Sequence, residues 1–165
     1  MTHKKAMYLK IFLCSNIMPQ IVNKPFLQHN LAFGIKSELK ILPLIQHHFC
    51  GDLQRADDPY SNFDYISNDC VVELKTRRGN YIQRGYATFP FDAVKLERYK
   101  ILKKQNPQLE GYICWYWKDM NKLHYWKIHT NDTNDTDHYA SHWVVDGIKK
   151  PVIEVFREDT QCITI

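Results

Sequence analysis

The chain has 165 residues, 44% of them hydrophobic and 24% charged, with a formal net charge of +4. That is enough for one domain with one core, and the balance excludes wholesale disorder. Lys10 interrupts the best apolar run, at 6–18, so no uncharged stretch reaches the roughly 18–20 residues of a membrane helix.

The 6–18 stretch follows His3, Lys4 and Lys5 and has the outline of a signal peptide, yet no small-residue cleavage site comes after it. Five scattered cysteines (Cys14, Cys50, Cys70, Cys114, Cys162) form no CxxC pair. Neither a disulfide framework nor a zinc knuckle is indicated. The expectation is a chain that is not secreted, in a reducing compartment, cytoplasmic or nuclear, with no membrane partner. Asn131 and Asn134 begin Asn-x-Thr sequons, which matter only in a secreted chain.

In chain order, 35–49 has helical period. With Ile35 at zero and 100° per residue, Leu39, Leu42, Ile45 and Phe49 fall within about 120° of arc. Glu38 lies inside that arc at about −60°. Pro43 predicts either a kink or two short helices meeting there. Segments 63–66 and 70–76 read as strands around a turn at 67–69. A helix is predicted from Phe91-Asp92 to about Gln105, with Asp92 as N-cap, Lys103-Lys104 at the carboxyl end and Asn106-Pro107 as the stop. Segments 111–117 and 123–128 are aromatic-rich strands around a turn at 118–122. The tract 131–137 (NDTNDTD) is a polar loop. Segments 142–146 and 151–156 read as a final hairpin around 147–150. The expected architecture is a single α/β domain over 1–165, with a core at about 32–128 and a C-terminal hairpin extension at about 138–165.

The chemistry concentrates in 62–78, NFDYISNDCVVELKTRR. With Asn68-Asp69 as the hairpin tip, Ile66 opposes Val71, Tyr65 opposes Val72 and Asp64 opposes Glu73. Opposed side chains share a face, with Cβ atoms about 5 Å apart. Lys75 shares that face, while Cys70, Val72 and Leu74 point to the core. Two carboxylates so placed repel, and a divalent cation with an open side would balance them. A carboxylate at Glu38 on an inward stripe is expected to be paired or metal-linked. The plainer readings are a cross-strand ion pair on an exposed face and, for Glu38, a structural arginine partner.

A helix Glu, an Asp at the end of one strand and Glu-x-Lys in the next resemble the core of the PD-(D/E)XK nuclease superfamily. The matching positions are Glu38, Asp64, Glu73 and Lys75, followed by the helix from Asp92. The resemblance covers about three-fifths of the chain. Phe63 rather than Pro precedes Asp64, the segment between the two acids is short, and Pro43 interrupts the first helix. The resemblance implies a restriction-endonuclease-like core, a mixed central β-sheet flanked by helices. It also implies Mg²⁺- or Mn²⁺-dependent hydrolysis of phosphodiesters, in DNA before RNA. Asp64, Glu73 and the backbone carbonyl of Leu74 would bind the metal. Lys75 would orient water or stabilise charge on the phosphate, and Glu38 would support a second metal or an outer water.

The span 61–110 holds nine Lys/Arg against six Asp/Glu, and 111–165 holds six against eight, so nucleic acid is expected at the middle of the chain. Candidate nucleic-acid contacts are Arg77, Arg78 and Arg84, with Lys95, Tyr99 and Lys103 on the second helix. A homodimer would let one site per chain cut both strands, though nothing in the sequence marks an interface. Weaker candidates fall away. His138 and His142 lack a third zinc ligand nearby, and strand aromatics 115–117 and 125–126 belong in a core more often than on a base-stacking surface. The competing function is a non-catalytic nucleic-acid- or protein-binding module of the same fold. A structural domain in a larger assembly comes third.

Overall fold

The computed structural model describes residues 24–58, 61–77, 85–129, 139–145 and 148–165. The stretches 6–18 and 131–137 lie outside them. The protein is a mixed α/β structure with a mostly-sheet core. No described helix is long and apolar enough to cross a membrane.

Helix α1 spans Lys24–His48 and contains Pro43 without ending there. Pro43 and Leu39, the residue four before it whose carbonyl loses its helical donor, are both exposed, so water can serve the freed carbonyl. The buried stripe is Ser37, Ile41 and Ile45, whereas Leu39 is 57% exposed. That stripe is turned by about 100° from the expected one, which puts Glu38 on its rim.

The strands are β1 (Gln54–Arg55), β2 (Tyr65–Ile66), β3 (Cys70–Arg77) and β4 (Thr88–Asp92). Helix α2 (Ala93–Gln105) follows, then β5 (Glu110–Trp117), β6 (Lys122–Lys127), β7 (Tyr139–Val145), β8 (Ile148–Phe156) and β9 (Gln161–Thr164). The main sheet runs β1-β2-β3-β5-β6-β9, and a second sheet runs β4-β8-β7. Only β3 and β5 are parallel neighbours in the main sheet. The β2–β3 hairpin has the expected register, Tyr65 against Val72 and Ile66 against Val71. Ser67 closes its turn by donating its N–H to Cys70 O at 2.8 Å, and Cys70 N–H donates to Ser67 Oγ at 3.0 Å.

Successive residues of β3 and β5 serve opposite cores, as a sheet covered on both faces requires. Cys70, Val72, Leu74, Cys114 and Tyr116 pack with Ile41 and Ile45 of α1. Val71, Ile113, Trp115 and Trp117 pack with Leu96 and Tyr99 of α2 and with Phe89 and Phe91 of β4. The strand aromatics are therefore core. Gly111 is required here, because a Cβ would come within 2.4 Å of the Tyr99 ring.

The C-terminal hairpin is tied into the body. Strand β8 is the centre of the second sheet, β4 supplies its edge, and β9 completes the main sheet against β6. The sequence reading contained neither β4 nor β9. Pro90 in the middle of β4 argues against a strand by composition and is tolerated because β4 is an edge. Its carbonyl accepts the Trp115 indole N–H at 3.1 Å.

Candidate metal and phosphate site

Strand β2 covers only Val71 and Val72 of β3. Among the described residues, no strand pairs with that edge of β3 beyond Val72. Asp64 occupies the vacated place. It stands one residue before β2, outside the ladder, and Leu74 N–H donates to its Oδ2 at 2.6 Å. The expected side-by-side opposition of Asp64 and Glu73 is thus replaced by a carboxylate capping the strand edge. The N–H and C=O of one strand residue point the same way, so the Leu74 carbonyl faces the Asp64 side.

Glu73 is not on an exposed patch. It is 2% exposed, on the face covered by α2. Such a charge must be balanced inside the protein. Lys75 Nζ donates to Glu73 Oε1 at 2.7 Å, and Lys95 Nζ lies 2.8 Å from Oε2. Lys75 also reaches Asp92 Oδ2 at 3.2 Å. Asp92 does stand at the N-cap position of α2, but its side chain caps no N–H and turns to Lys75 instead. Burial would lower the Lys75 pKa. Glu73 and Asp92 outweigh that and raise it above the ordinary lysine range, so Lys75 is a fixed ammonium. Asp64 is pushed up to about 7, first by burial and then by the Glu73 charge, against the opposing Leu74 N–H and Lys75.

Glu38 meets Arg55 of β1, with Nη1 to Oε2 at 3.2 Å, and its main-chain oxygen accepts the Tyr65 hydroxyl at 2.8 Å. The structural arginine partner is therefore present. Glu38 also faces a groove of 390 Å³ lined by Phe33, Gly34, Glu38, Leu74, Lys75, Thr76 and Arg77. Its charge contributes to the raised pKa of Asp64. The groove thus runs from α1 along the Leu74–Arg77 end of β3. Lys118 Nζ lies 5.5 Å from the centroid of the Phe33 ring, which lines the groove.

The structure brings Glu38, Asp64, Glu73, Lys75 and Arg77 to one end of β3. The α2 candidates turn inward instead. Tyr99 is 1% exposed and donates its hydroxyl to Leu109 O at 2.9 Å, and Lys103 Nζ donates to the same carbonyl at 2.7 Å. Both side chains are spent on holding the Leu109 carbonyl, just before β5. Lys95 serves Glu73. Arg78, Arg84 and His138 lie outside the described residues, and His142 is exposed on β7. Sequence reasoning overlooked the roles of Arg55, Asp92 and Lys95. For the last two a signal existed, since the spacing of i and i+3 puts Asp92 and Lys95 on one side of α2.

Among the described residues, no group of three or more His, Cys, Asp and Glu side chains is arranged to hold a metal ion. Asp64 stands near enough to Glu73 to feel its charge and has the Leu74 carbonyl on its side of the strand, and all three would offer oxygens, the donor type a hard divalent cation takes. Burial first and then the Glu73 charge raise the Asp64 pKa, and carboxylate and carbonyl oxygens are of the kind that fits such an ion. No protein-family model matches the chain, and a search of curated proteins finds no match.

Proposed function

We propose that the protein is a Mg²⁺- or Mn²⁺-dependent nuclease with a restriction-endonuclease-like core, acting on DNA before RNA. The observation that carries this reading is the Asp64 carboxylate on Leu74 N–H, at the edge of β3 beyond its pairing with β2, with a pKa raised to about 7 by burial and the Glu73 charge and with the Lys75 ammonium opposing. Asp64, Glu73 and the Leu74 carbonyl would hold the metal. When bound, the ion would lower the pKa of a water and polarise the scissile phosphate. The chain's own part is positional and electrostatic. Lys75, fixed by Glu73 and Asp92, presents a permanent positive charge where charge grows on the phosphate. Arg77 lines the groove through which a strand would approach, and its contact with a backbone phosphate would add affinity without sequence preference. Glu38, restrained by Arg55, would hold an outer water at the groove side.

Incubation of the protein with labelled single-stranded, duplex and branched DNA, in Mn²⁺ or in EDTA, tests the reading. Cleavage in Mn²⁺ alone is expected. Lys75→Ala should slow it at least about 100-fold, and Asp64→Asn should abolish it, with circular dichroism showing both variants folded. The second reading, a non-catalytic nucleic-acid- or protein-binding module, is favoured by the double lysine neutralisation of Glu73. It predicts salt-dependent binding that neither substitution changes.

A further inference from the structure

With Asp64 ionised, the charges around Glu73 leave an excess of one negative charge, which either a proton on Asp64 or a bound cation can offset. Asp64, Glu73 and Asp92 supply three formal negative charges, and Lys75 and Lys95 supply two positive ones. A divalent ion would leave the corner at +1, the charge that one bound phosphodiester would cancel. The two lysines are not equivalent in this balance. Lys75 touches two acids, Glu73 and Asp92, and stays paired if one of them turns to a metal.

Lys95 differs. Among the described residues its one acidic partner is Glu73, at 2.8 Å. Its other close oxygens are main-chain carbonyls, Asn62 O at 2.6 Å and Ser61 O at 3.5 Å, and its side chain is 15% exposed. Asn62 is two residues before Asp64. The ammonium therefore sits between the strand carrying Glu73 and the segment carrying Asp64, on the Glu73 oxygen that Lys75 leaves open. Neutral carbonyls can retain an ammonium that has given up its carboxylate, so Lys95 has somewhere to remain.

We propose that Lys95 is the counter-ion of Glu73 in the metal-free protein, and that it sets the site's metal affinity by competing for Glu73 Oε2. This rests on the divalent-ion reading of Asp64 and Glu73. It makes Lys95 a positioning residue rather than one that contacts nucleic acid.

Removing the charge should tighten metal binding, because a repelled neighbour is lost. A purely bracing Lys95 predicts the opposite, since its loss would loosen both acids. The test is calorimetric titration of the full-length chain with MnCl₂, with no nucleic acid present. Lys95→Gln keeps a donor for the Asn62 carbonyl, Lys95→Met keeps the stem, and Lys95→Arg keeps the charge. Thermal unfolding in EDTA identifies the variants that fold. The expected result is Mn²⁺ binding by wild type, its loss in Asp64→Asn, an affinity about tenfold higher or more in Lys95→Gln and Lys95→Met, and little change in Lys95→Arg. If Asp64→Asn loses binding but the neutral variants bind equally or more weakly, this inference is overturned and the nuclease reading stands. If Lys95→Arg is the only variant that folds, a tenfold gain in it overturns the inference. If neither wild type nor the neutral variants bind Mn²⁺, both fall.

Discussion

Glu38 and Glu73 are both carboxylates on otherwise apolar faces, and the protein balances them in different ways. Glu38 stands on the rim of the α1 stripe, open to a groove, and meets one arginine. Glu73 lies under α2 and holds two lysines, one of which reaches a further acid. The groove side can rely on water to screen its charge. The α2 side cannot, so its charge is balanced by a network. The difference separates a carboxylate that water can screen from a corner of fixed charges that balance one another.

The largest way to break this contrast is Glu73→Gln. It leaves Lys95 with main-chain carbonyls alone and Lys75 with Asp92 alone, and urea unfolding should show a loss of about 3–5 kcal/mol. A loss under about 1 kcal/mol would mean that water reaches the corner. Next comes the pH dependence of Asp64. Its pKa is raised from 3.8 to about 7, so between these values the folded chain holds the proton more tightly than the unfolded chain. This contribution to stability is complete below about pH 4 and is lost as pH rises through about 7. Asp64→Asn removes that slope. Urea titrations in EDTA should show the variant gaining on wild type from pH 4 to pH 8, by up to about 4 kcal/mol. A constant difference across that range would mean that Asp64 titrates normally. The smallest effect is expected at Glu38→Gln, at most about 1 kcal/mol in the same assay, because Arg55 can turn to water.

The hairpin was legible because its register depends on local chemistry. Asn68-Asp69 makes the turn, Ser67 closes it, and the alternation of Cys70, Val72 and Leu74 fixes which residues face α1. The Glu-x-Lys pairing followed from the same alternation. What was not legible depends on distant parts of the chain. Strands β1 and β9 are short edges that exist only because β2 and β6 are there to pair with them. The rotational phase of α1 is set by the sheet beneath it, not by its own apolar residues, which is why Leu39 faces water. The capping of Leu74 by Asp64 requires β2 to end two residues into β3, and no local pattern encodes that ending. Asp92 reads as a helix cap from sequence, and only the nearby Lys75 ammonium diverts it.

The central claim is that the edge of β3 beyond Val72, where Asp64 stands, is a divalent-ion site that cleaves phosphodiesters. The most direct measurement is cleavage of end-labelled DNA in Mn²⁺ by wild type and by folded Asp64→Asn, side by side with EDTA controls. The account predicts products from wild type in Mn²⁺ alone and none from the variant. Equal products from both, or none from wild type on single-stranded, duplex and branched substrates alike, would contradict it.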